Sequence, residues 1–273
     1  MSGRLFAKIA LILLLGILGI ITLFPIFWMY SSTFKPYKEI FAYPPTLLPI
    51  QFTLGNLYSS LFEHRFLRYM GNSLYVALVV TLVALLLHAM AGYAFARLDF
   101  PLRDTLFVML ISTLIIPIYS ILIPRYILVN QLGWINTYAG LIIPAIPHGF
   151  GIFALRQFLL GLPIELEEAA RIDGASRVKI FLLIALPLCK TILVTLGVIF
   201  FMVNWDAFIW PLVVAVSDDL KLIQVGLAGF MDLQTPQWHL LIASASLAAT
   251  PNLIVFLLAQ RYVVQGIKTT GLK

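Results

Sequence analysis

Residues 163–187 read PIELEEAARIDGASRVKIFLLIALP, a polar segment between two long apolar runs. Its first turn contains three glutamates: Glu165, Glu167 and Glu168. Negative charge there suits the positive end of a helix dipole, and Pro163 is expected at the first helical position, where proline is tolerated. Gly174 is expected to end this helix, and a second, basic and apolar helix should finish before Pro187. The pattern therefore predicts a helix, a bend and a second helix on the membrane surface.

The composition is that of a membrane protein. Of the 273 residues, 61% are hydrophobic and 11% are charged, whereas soluble domains have about 25% charged residues. The net charge of +6 comes from lysines and arginines in short loops, which favours a role in membrane orientation over nucleic-acid binding. Cys189 is the single cysteine, which excludes an internal disulfide.

Six stretches are long and apolar enough to span a bilayer, which takes about 20 residues. They are residues 8–31, 69–95, 105–128, 138–159, 189–211 and 238–262. An even number of spans places both termini on one side. Twelve of the 18 lysines and arginines then share that side, so the positive-inside rule predicts cytoplasmic termini. Residues 163–187 face the cytoplasm in this topology.

That segment carries a long spaced motif: Glu168-Ala169-Ala170, Gly174, Ile184, Leu186 and Pro187. The motif resembles the EAA loop of ABC-importer permeases. Its centre, Ile172-Asp173-Gly174-Ala175, is similar to the carbohydrate-uptake branch, which includes the smaller maltose permease subunit. A lone Glu-Ala-Ala would carry no information, because both residue types are common helix formers. The resemblance implies an all-α polytopic membrane protein with six transmembrane helices and the type I ABC-importer permease fold.

The resemblance also implies how the chain is divided into structural parts. Residues 1–68 would form the first transmembrane helix and an external loop. Residues 69–273 would form a five-helix permease core, with a cytoplasmic EAA coupling loop at 160–188. The residues expected to couple to an ATPase are Glu168, Ala169, Ala170, Asp173 and Gly174. Glu168 should hold a basic group of the partner, and Asp173 should do the same or cap the second helix.

The source of energy must lie in other subunits. The sequence has no GxxxxGK[ST] phosphate-binding loop and no chain of intramembrane carboxylates suited to a proton relay. The resemblance implies that this chain is not an enzyme and holds no cofactor, with ATP and Mg on two cytoplasmic ATPase subunits. A second homologous permease and an external solute-binding protein complete the expected importer. The longest external segments, 32–68 and 212–237, are candidates for contact with that external partner.

The expected location is the plasma (inner) membrane of a bacterium or archaeon, with the lipid bilayer as a further partner and no nucleic acid. The resemblance implies a carbohydrate or related cargo: a sugar, oligosaccharide, polyol or glycerol phosphate. Uptake of amino acids, peptides or ions by the same fold is the alternative.

Asp206 lies within the fifth predicted span, in Asn204-Trp205-Asp206. The stretch resembles the family's tryptophan-asparagine-aspartate sequence, with its first two residues reversed. An ionisable residue in a span is a candidate for function, so Asn204 and Asp206 are candidate residues of the substrate path. Structural packing near the outer boundary is the alternative for Asp206, and an intramembrane enzyme using it with a histidine is another. No metal site is expected, because the histidines, carboxylates and cysteine have no metal-ligand spacing.

Overall fold

Regular structure in the described chain is helical throughout. The computed structural model describes residues 2–231 and 236–270, with side chains for residues 4, 6–231 and 236–261. Within these ranges the α-helices are interrupted only by short 3-10 and π-helical turns and by loops. The predicted all-α fold class is confirmed. Residues 232–235 of the predicted external segment 212–237 lie outside the described residues.

Fifteen α-helices follow one another along the described residues. They are α1 (Ser2–Thr33), α2 (Tyr37–Ile40), α3 (Gly55–Tyr58), α4 (Phe66–Arg97), α5 (Arg103–Ser112), α6 (Leu122–Gln131), α7 (Tyr138–Ile142), α8 (Gly149–Leu160), α9 (Glu165–Ile172), α10 (Arg177–Ile180), α11 (Leu186–Leu188), α12 (Lys190–Trp205), α13 (Ile209–Val214), α14 (Ile223–Ala228) and α15 (Trp238–Thr270). The 3-10 turns are Thr113–Ile115, Ile118–Ile121 and Ile143–Ala145, and the π-helical turns are Ser59–Glu63 and Phe181–Ala185.

Several of these helices are long and apolar enough to cross a membrane. Four qualify singly: Phe6–Thr33, Phe66–Arg97, Tyr138–Leu160 and Trp238–Arg261. Two bent pairs qualify when each pair is taken as one span: Arg103–Ile115 with Ile118–Gln131, and Arg177–Leu188 with Lys190–Trp205. The described residues therefore provide four spans, or six when the bent pairs are included. Each of the six predicted stretches corresponds to one of these segments.

The third predicted span, 105–128, is not one straight helix. Its two halves meet at 98° at a break of the helix between Ile115 and Ile118. Ile116 is extended, with φ −77° and ψ 120°, because the ring of Pro117 disfavours helical backbone in the residue before it. The predicted span is therefore broken at this point into two helical halves.

The fifth predicted span, 189–211, is too long at its C-terminal end. α12 ends at Trp205, and Pro211 lies in α13, a separate short helix. The expectation that Pro187 follows the end of the second helix is also wrong. Pro187 lies inside α11, directly after the π-helical turn, and a 75° bend at Cys189 separates α11 from α12.

The chain forms two compact units. One consists of Met1–Arg68 and Gly226–Thr250, and the other of Tyr69–Val225 and Pro251–Lys273. Within the first, the hydroxyl of Tyr30 donates to the Ser246 carbonyl at 3.2 Å, and the Thr33 hydroxyl donates to Ser246 Oγ at 3.0 Å. These bonds tie the end of α1 to α15. The division into 1–68 and 69–273 stays a prediction.

Close packing of α4 on α8 organises the second unit. A Cβ on Gly92 would lie 2.9 Å from Leu155 Cβ, and one on Gly151 would lie 2.4 Å from His88 Nδ1. Small residues of this kind allow membrane helices to approach closely. Buried Leu196 and Phe200 of α12 pack into the same core. The C-terminal ends of α4 and α8 are thereby held where α9 begins.

Candidate functional site

The predicted coupling helix α9 has a buried face and an exposed face. Glu167 is buried, whereas Glu165, Glu168, Ala169 and Ile172 are exposed. Leu166 and Arg171 are exposed as well, but Glu165, Glu168, Ala169 and Ile172 share the spacing i, i+3, i+4 and i+7 and so form one stripe along the helix. We call them the α9 stripe. The side chain of Ile172 is 86% exposed, which leaves an apolar group uncovered at the end of a charged helix.

The start of α9 differs in register from the prediction. The helix begins at Glu165, with Ile164 at the N-cap position. Pro163 therefore precedes the cap, and its predicted place at the first helical position is wrong. The three glutamates do occupy the first turn, so their charges lie at the positive end of the helix dipole as predicted.

Glu167 is held by two side chains of α4. Arg97 Nε donates to Glu167 Oε1 at 2.8 Å, and the Tyr93 hydroxyl donates to Glu167 Oε2 at 2.9 Å. Arg97 Nη2 also donates to the Leu162 carbonyl at 2.9 Å, just beyond the end of α8. The side chains of Arg97 and Glu167 are only 7% and 6% exposed. One guanidinium thus joins α4, the end of α8 and the start of α9.

The sequence did not predict this joint between α4, α8 and α9, because it shows Glu167 only as part of an acidic first turn. The available signal is its position on the helix face opposite the α9 stripe. Nothing in the sequence shows that it pairs with Arg97, 70 residues earlier. An ion pair this deeply buried is costly to desolvate and strongly destabilising to break. The joint therefore fixes where α9 sits on the second unit.

A tight elbow follows α9. Gly174 has φ +82°, in the left-handed region that favours glycine, and the Ala175 N–H donates back to the Ala170 carbonyl at 2.9 Å. The side chain of Ser176 then caps α10 by accepting from the Lys179 N–H at 3.4 Å. Gly174 ends the first helix as predicted, but the predicted capping role of Asp173 is wrong, because Ser176 provides that cap.

The five predicted coupling residues lie together around this elbow. Glu168, Ala169, Asp173 and Gly174 are exposed, and Ala170 is half-buried. Their side chains leave room for the close approach of another surface. Their coupling to an ATPase stays a prediction.

The two predicted path residues, Asn204 and Asp206, are in different environments. The amide of Asn204 donates to the Phe200 carbonyl of its own helix at 2.8 Å. Asp206 is exposed, directly follows α12, and accepts from two amides that the sequence reasoning missed. Gln224 Nε2 donates to its Oδ1 at 3.1 Å, and Asn252 Nδ2 donates to its Oδ2 at 2.8 Å. We call Asp206, Gln224 and Asn252 the polar triad.

His88 lies beside two backbone groups of the second unit, and its tautomer decides which of them its Nε2 bonds. His88 Nε2 lies 3.1 Å from the Ile146 carbonyl oxygen and 3.2 Å from the His148 amide nitrogen. Both groups stand at the break between α7 and α8, where helical hydrogen bonds are interrupted. Among the described residues, no group of three or more His, Cys, Asp or Glu side chains is placed to hold a metal ion.

Residues 88–269 match the family described as the binding-protein-dependent transport system inner membrane component. The chain belongs to this family. It is 33% identical to the arabinooligosaccharides transport system permease protein of Halalkalibacterium halodurans, over 94% of this chain and 93% of that protein. It is 34% identical to the sn-glycerol-3-phosphate transport system permease protein of Brucella melitensis, over 95% of each.

The fold is also that of a chain in a solved ABC transporter. A chain of a bacterial ABC transporter involved in the import of the acidic polysaccharide alginate superposes with a TM-score of 0.85 at 21% identity, covering 96% of this chain and 98% of that chain. The predicted family and fold are confirmed. The protein is an inner-membrane permease of an ABC importer and not an enzyme, because its relatives are permease proteins.

Proposed function

We propose that this permease carries a carbohydrate or related solute across the inner membrane: a sugar, an oligosaccharide, a polyol or glycerol phosphate. The relatives named above transport arabino-oligosaccharides and glycerol 3-phosphate, and the structural neighbour takes part in alginate import. All three cargoes are rich in hydroxyl groups. This shared chemistry favours carbohydrate-like cargo over amino acids, peptides or ions.

The energy for transport comes from ATPase subunits that bind the α9 stripe. The observation that carries this proposal is the pairing of an exposed stripe with a buried anchor on a single short helix. Glu168 offers a charge to a basic group, Ala169 allows close approach, and the uncovered Ile172 offers an apolar contact. On the opposite face, Glu167 bonds to Arg97. A push on the stripe is thus passed to α4 and α8.

The working importer contains several subunits. Two cytoplasmic ATPase subunits bind ATP and Mg, so this chain needs no cofactor of its own. A second, homologous permease pairs with it about a pseudo-two-fold axis. An external solute-binding protein delivers the cargo, and the description of the family as binding-protein-dependent supports this part of the proposal. Closure of the ATPases then switches the paired permeases between inward-facing and outward-facing states.

Both termini lie in the cytoplasm in this proposal. The excess of lysines and arginines on the side of the termini supports that orientation. It also places the elbow at Gly174 in the cytoplasm, where the ATPases are.

Reconstitution of the complete complex tests the function. The permease pair, the ATPase and the solute-binding protein are placed in liposomes, and ATP hydrolysis is measured with arabino-oligosaccharides, lactose, glycerol 3-phosphate and alginate oligomers. We expect one of these to stimulate hydrolysis and to accumulate inside right-side-out vesicles only when they are loaded with ATP. Stimulation by an amino acid or peptide, with none by these four, overturns the cargo class.

A further inference from the structure

We propose that the polar triad is a binding subsite for a neutral, hydroxyl-rich solute on its way through the membrane. The inference rests on the proposed transport function and assigns cargo contact to this subunit. It brings in Gln224 and Asn252, on separate helices from Asp206, and it leaves out Asn204, whose amide is bonded within α12.

The first step is the depth of the triad. Asn252 lies 14 residues after Trp238 and nine before Arg261, the ends of the last candidate span. At 1.5 Å per residue these separations are about 21 Å and about 14 Å, within a hydrocarbon layer of about 30 Å. Asp206 is 2.8 Å from Asn252, so its carboxylate lies beside the last candidate span at this depth, at the point where the fifth candidate span ends.

The second step is exposure at that depth. Asp206 is exposed on this chain, and Gln224 and Asn252 are half-buried. A carboxylate facing lipid at this depth is strongly disfavoured, and such groups face a water-filled cavity or another protein surface. An irregular backbone is also tolerated at membrane depth only in such places, and the chain leaves its helix at Asp206 between α12 and α13.

The third step is the match to hydroxyl groups. Each oxygen of Asp206 accepts one amide N–H and retains a further lone pair, so it can accept a hydroxyl proton. Each amide nitrogen has a second N–H to donate, and Asn252 Oδ1 is a buried acceptor without a partner. A sugar hydroxyl both donates and accepts, and neighbouring hydroxyls of one ring therefore satisfy this set together.

The fourth step is charge. The triad itself has one acidic and no basic group, so a phosphate or carboxylate on the cargo would meet a like charge. The triad therefore favours a neutral saccharide or polyol over glycerol phosphate or an acidic polysaccharide. This narrows the proposed cargo to the uncharged members of the classes that the relatives transport.

The test uses the complete reconstituted complex with Asp206→Asn, Gln224→Leu and Asn252→Leu. Asp99→Asn is the matched control, because the Asp99 side chain is 98% exposed and pairs only locally with Arg103. We expect the triad variants to assemble, while the KM for the stimulating solute rises about ten-fold or more, the effect of losing one charge-assisted hydrogen bond. The control should keep the wild-type KM. Unchanged KM in all three assembled triad variants overturns the subsite.

A labelling experiment covers variants that fail to assemble. In a Cys189→Ser background, Gln224→Cys should react with a water-soluble methanethiosulfonate and be protected by the solute that stimulates hydrolysis. Ile12→Cys, on the exposed apolar surface of α1, is the lipid-facing control and should not react. Lack of reaction at position 224 in every nucleotide state, or stimulation by an anionic solute alone, contradicts the proposal. If wild type responds to no solute of the panel, the transport function itself fails, which is a distinct result.

Discussion

Arg97 Nε lies 2.8 Å from Glu167 Oε1, in an ion pair that water scarcely reaches. The pair joins the end of a membrane helix to the helix that carries the α9 stripe. Buried pairs of this kind are weak evidence for stability, since well-packed apolar residues often do as well. A pair at this position instead specifies one orientation of α9 on α4. A permease that couples ATP hydrolysis to transport through α9 needs such a fixed orientation.

The first prediction concerns the loss of one partner of this pair. Arg97→Gln or Glu167→Gln leaves the remaining charge buried, and we expect each to destabilise the protein by about 3–5 kcal/mol. Thermal unfolding of the purified complex in detergent measures this. Glu165→Gln, an exposed glutamate of the same helix turn, should change stability by less than about 0.5 kcal/mol.

The double variant Arg97→Met, Glu167→Met separates stability from transmission. We expect it to recover part of the lost stability, because no unpaired charge remains, while Tyr93 and the Leu162 carbonyl lose their partners. Solute-stimulated ATP hydrolysis should stay low even so, because the orientation of α9 is no longer specified. Wild-type stimulation in a double variant of restored stability contradicts a role in transmission.

The second prediction is that Glu168→Lys abolishes binding of the ATPase. Glu168 is exposed on the α9 stripe, so reversing its charge changes docking and leaves the fold intact. Co-purification of the ATPase and uptake in whole cells measure the effect, and we expect uptake to fall at least ten-fold. Glu63→Lys reverses another exposed glutamate, in the predicted external loop, and should leave co-purification of the ATPase unchanged. Normal uptake with Glu168→Lys removes the docking role.

The contrast between Glu167 and Glu168 shows what sequence could and could not predict. The spans are predictable because bilayer thickness sets the length of an apolar run, and the elbow is predictable because Gly174 adopts a backbone that other residues disfavour. The face of α9 that packs inward depends on Tyr93 and Arg97, which lie 74 and 70 residues before Glu167 in the sequence. The polar triad is hidden for the same reason, since 46 residues separate Asp206 from Asn252.

The third prediction concerns Gly174, where a side chain has room but the backbone conformation disfavours any residue other than glycine. A Cβ there meets nothing within 4 Å, but φ is +82°, and a left-handed conformation costs an ordinary residue about 1–2 kcal/mol. We expect Gly174→Ala to destabilise by that amount and Gly174→Asn by less, because asparagine tolerates this region. Gly174→Trp should additionally block docking. Gly71→Ala is the control: it also has open space but lies inside α4, so it should be neutral or slightly stabilising.

The fourth prediction concerns Glu39, which organises the loop after α1. Its carboxylate accepts the N–H groups of Ile50 and Gln51, at 2.7 Å and 3.2 Å, and the hydroxyl of Thr46 at 2.9 Å. These bonds, the Ile50 N–H foremost, hold the pKa of Glu39 below its usual value. A lowered carboxylate pKa means that the loop is stabilised above the unfolded pKa of about 4.3 and loses this contribution as pH falls through the folded value.

Amide hydrogen exchange at Ile50 and Gln51 measures that contribution. We expect Glu39→Gln to speed exchange at both amides at neutral pH and to remove the acid dependence of their protection below about pH 4.3, the ordinary pKa of glutamate. Glu63→Gln, an exposed glutamate elsewhere in the same unit, should leave both amides as protected as in the wild type. Protection that is independent of residue 39 at every pH would mean that the loop is held by other contacts, such as the Thr53 N–H donating to the Phe34 carbonyl at 2.9 Å.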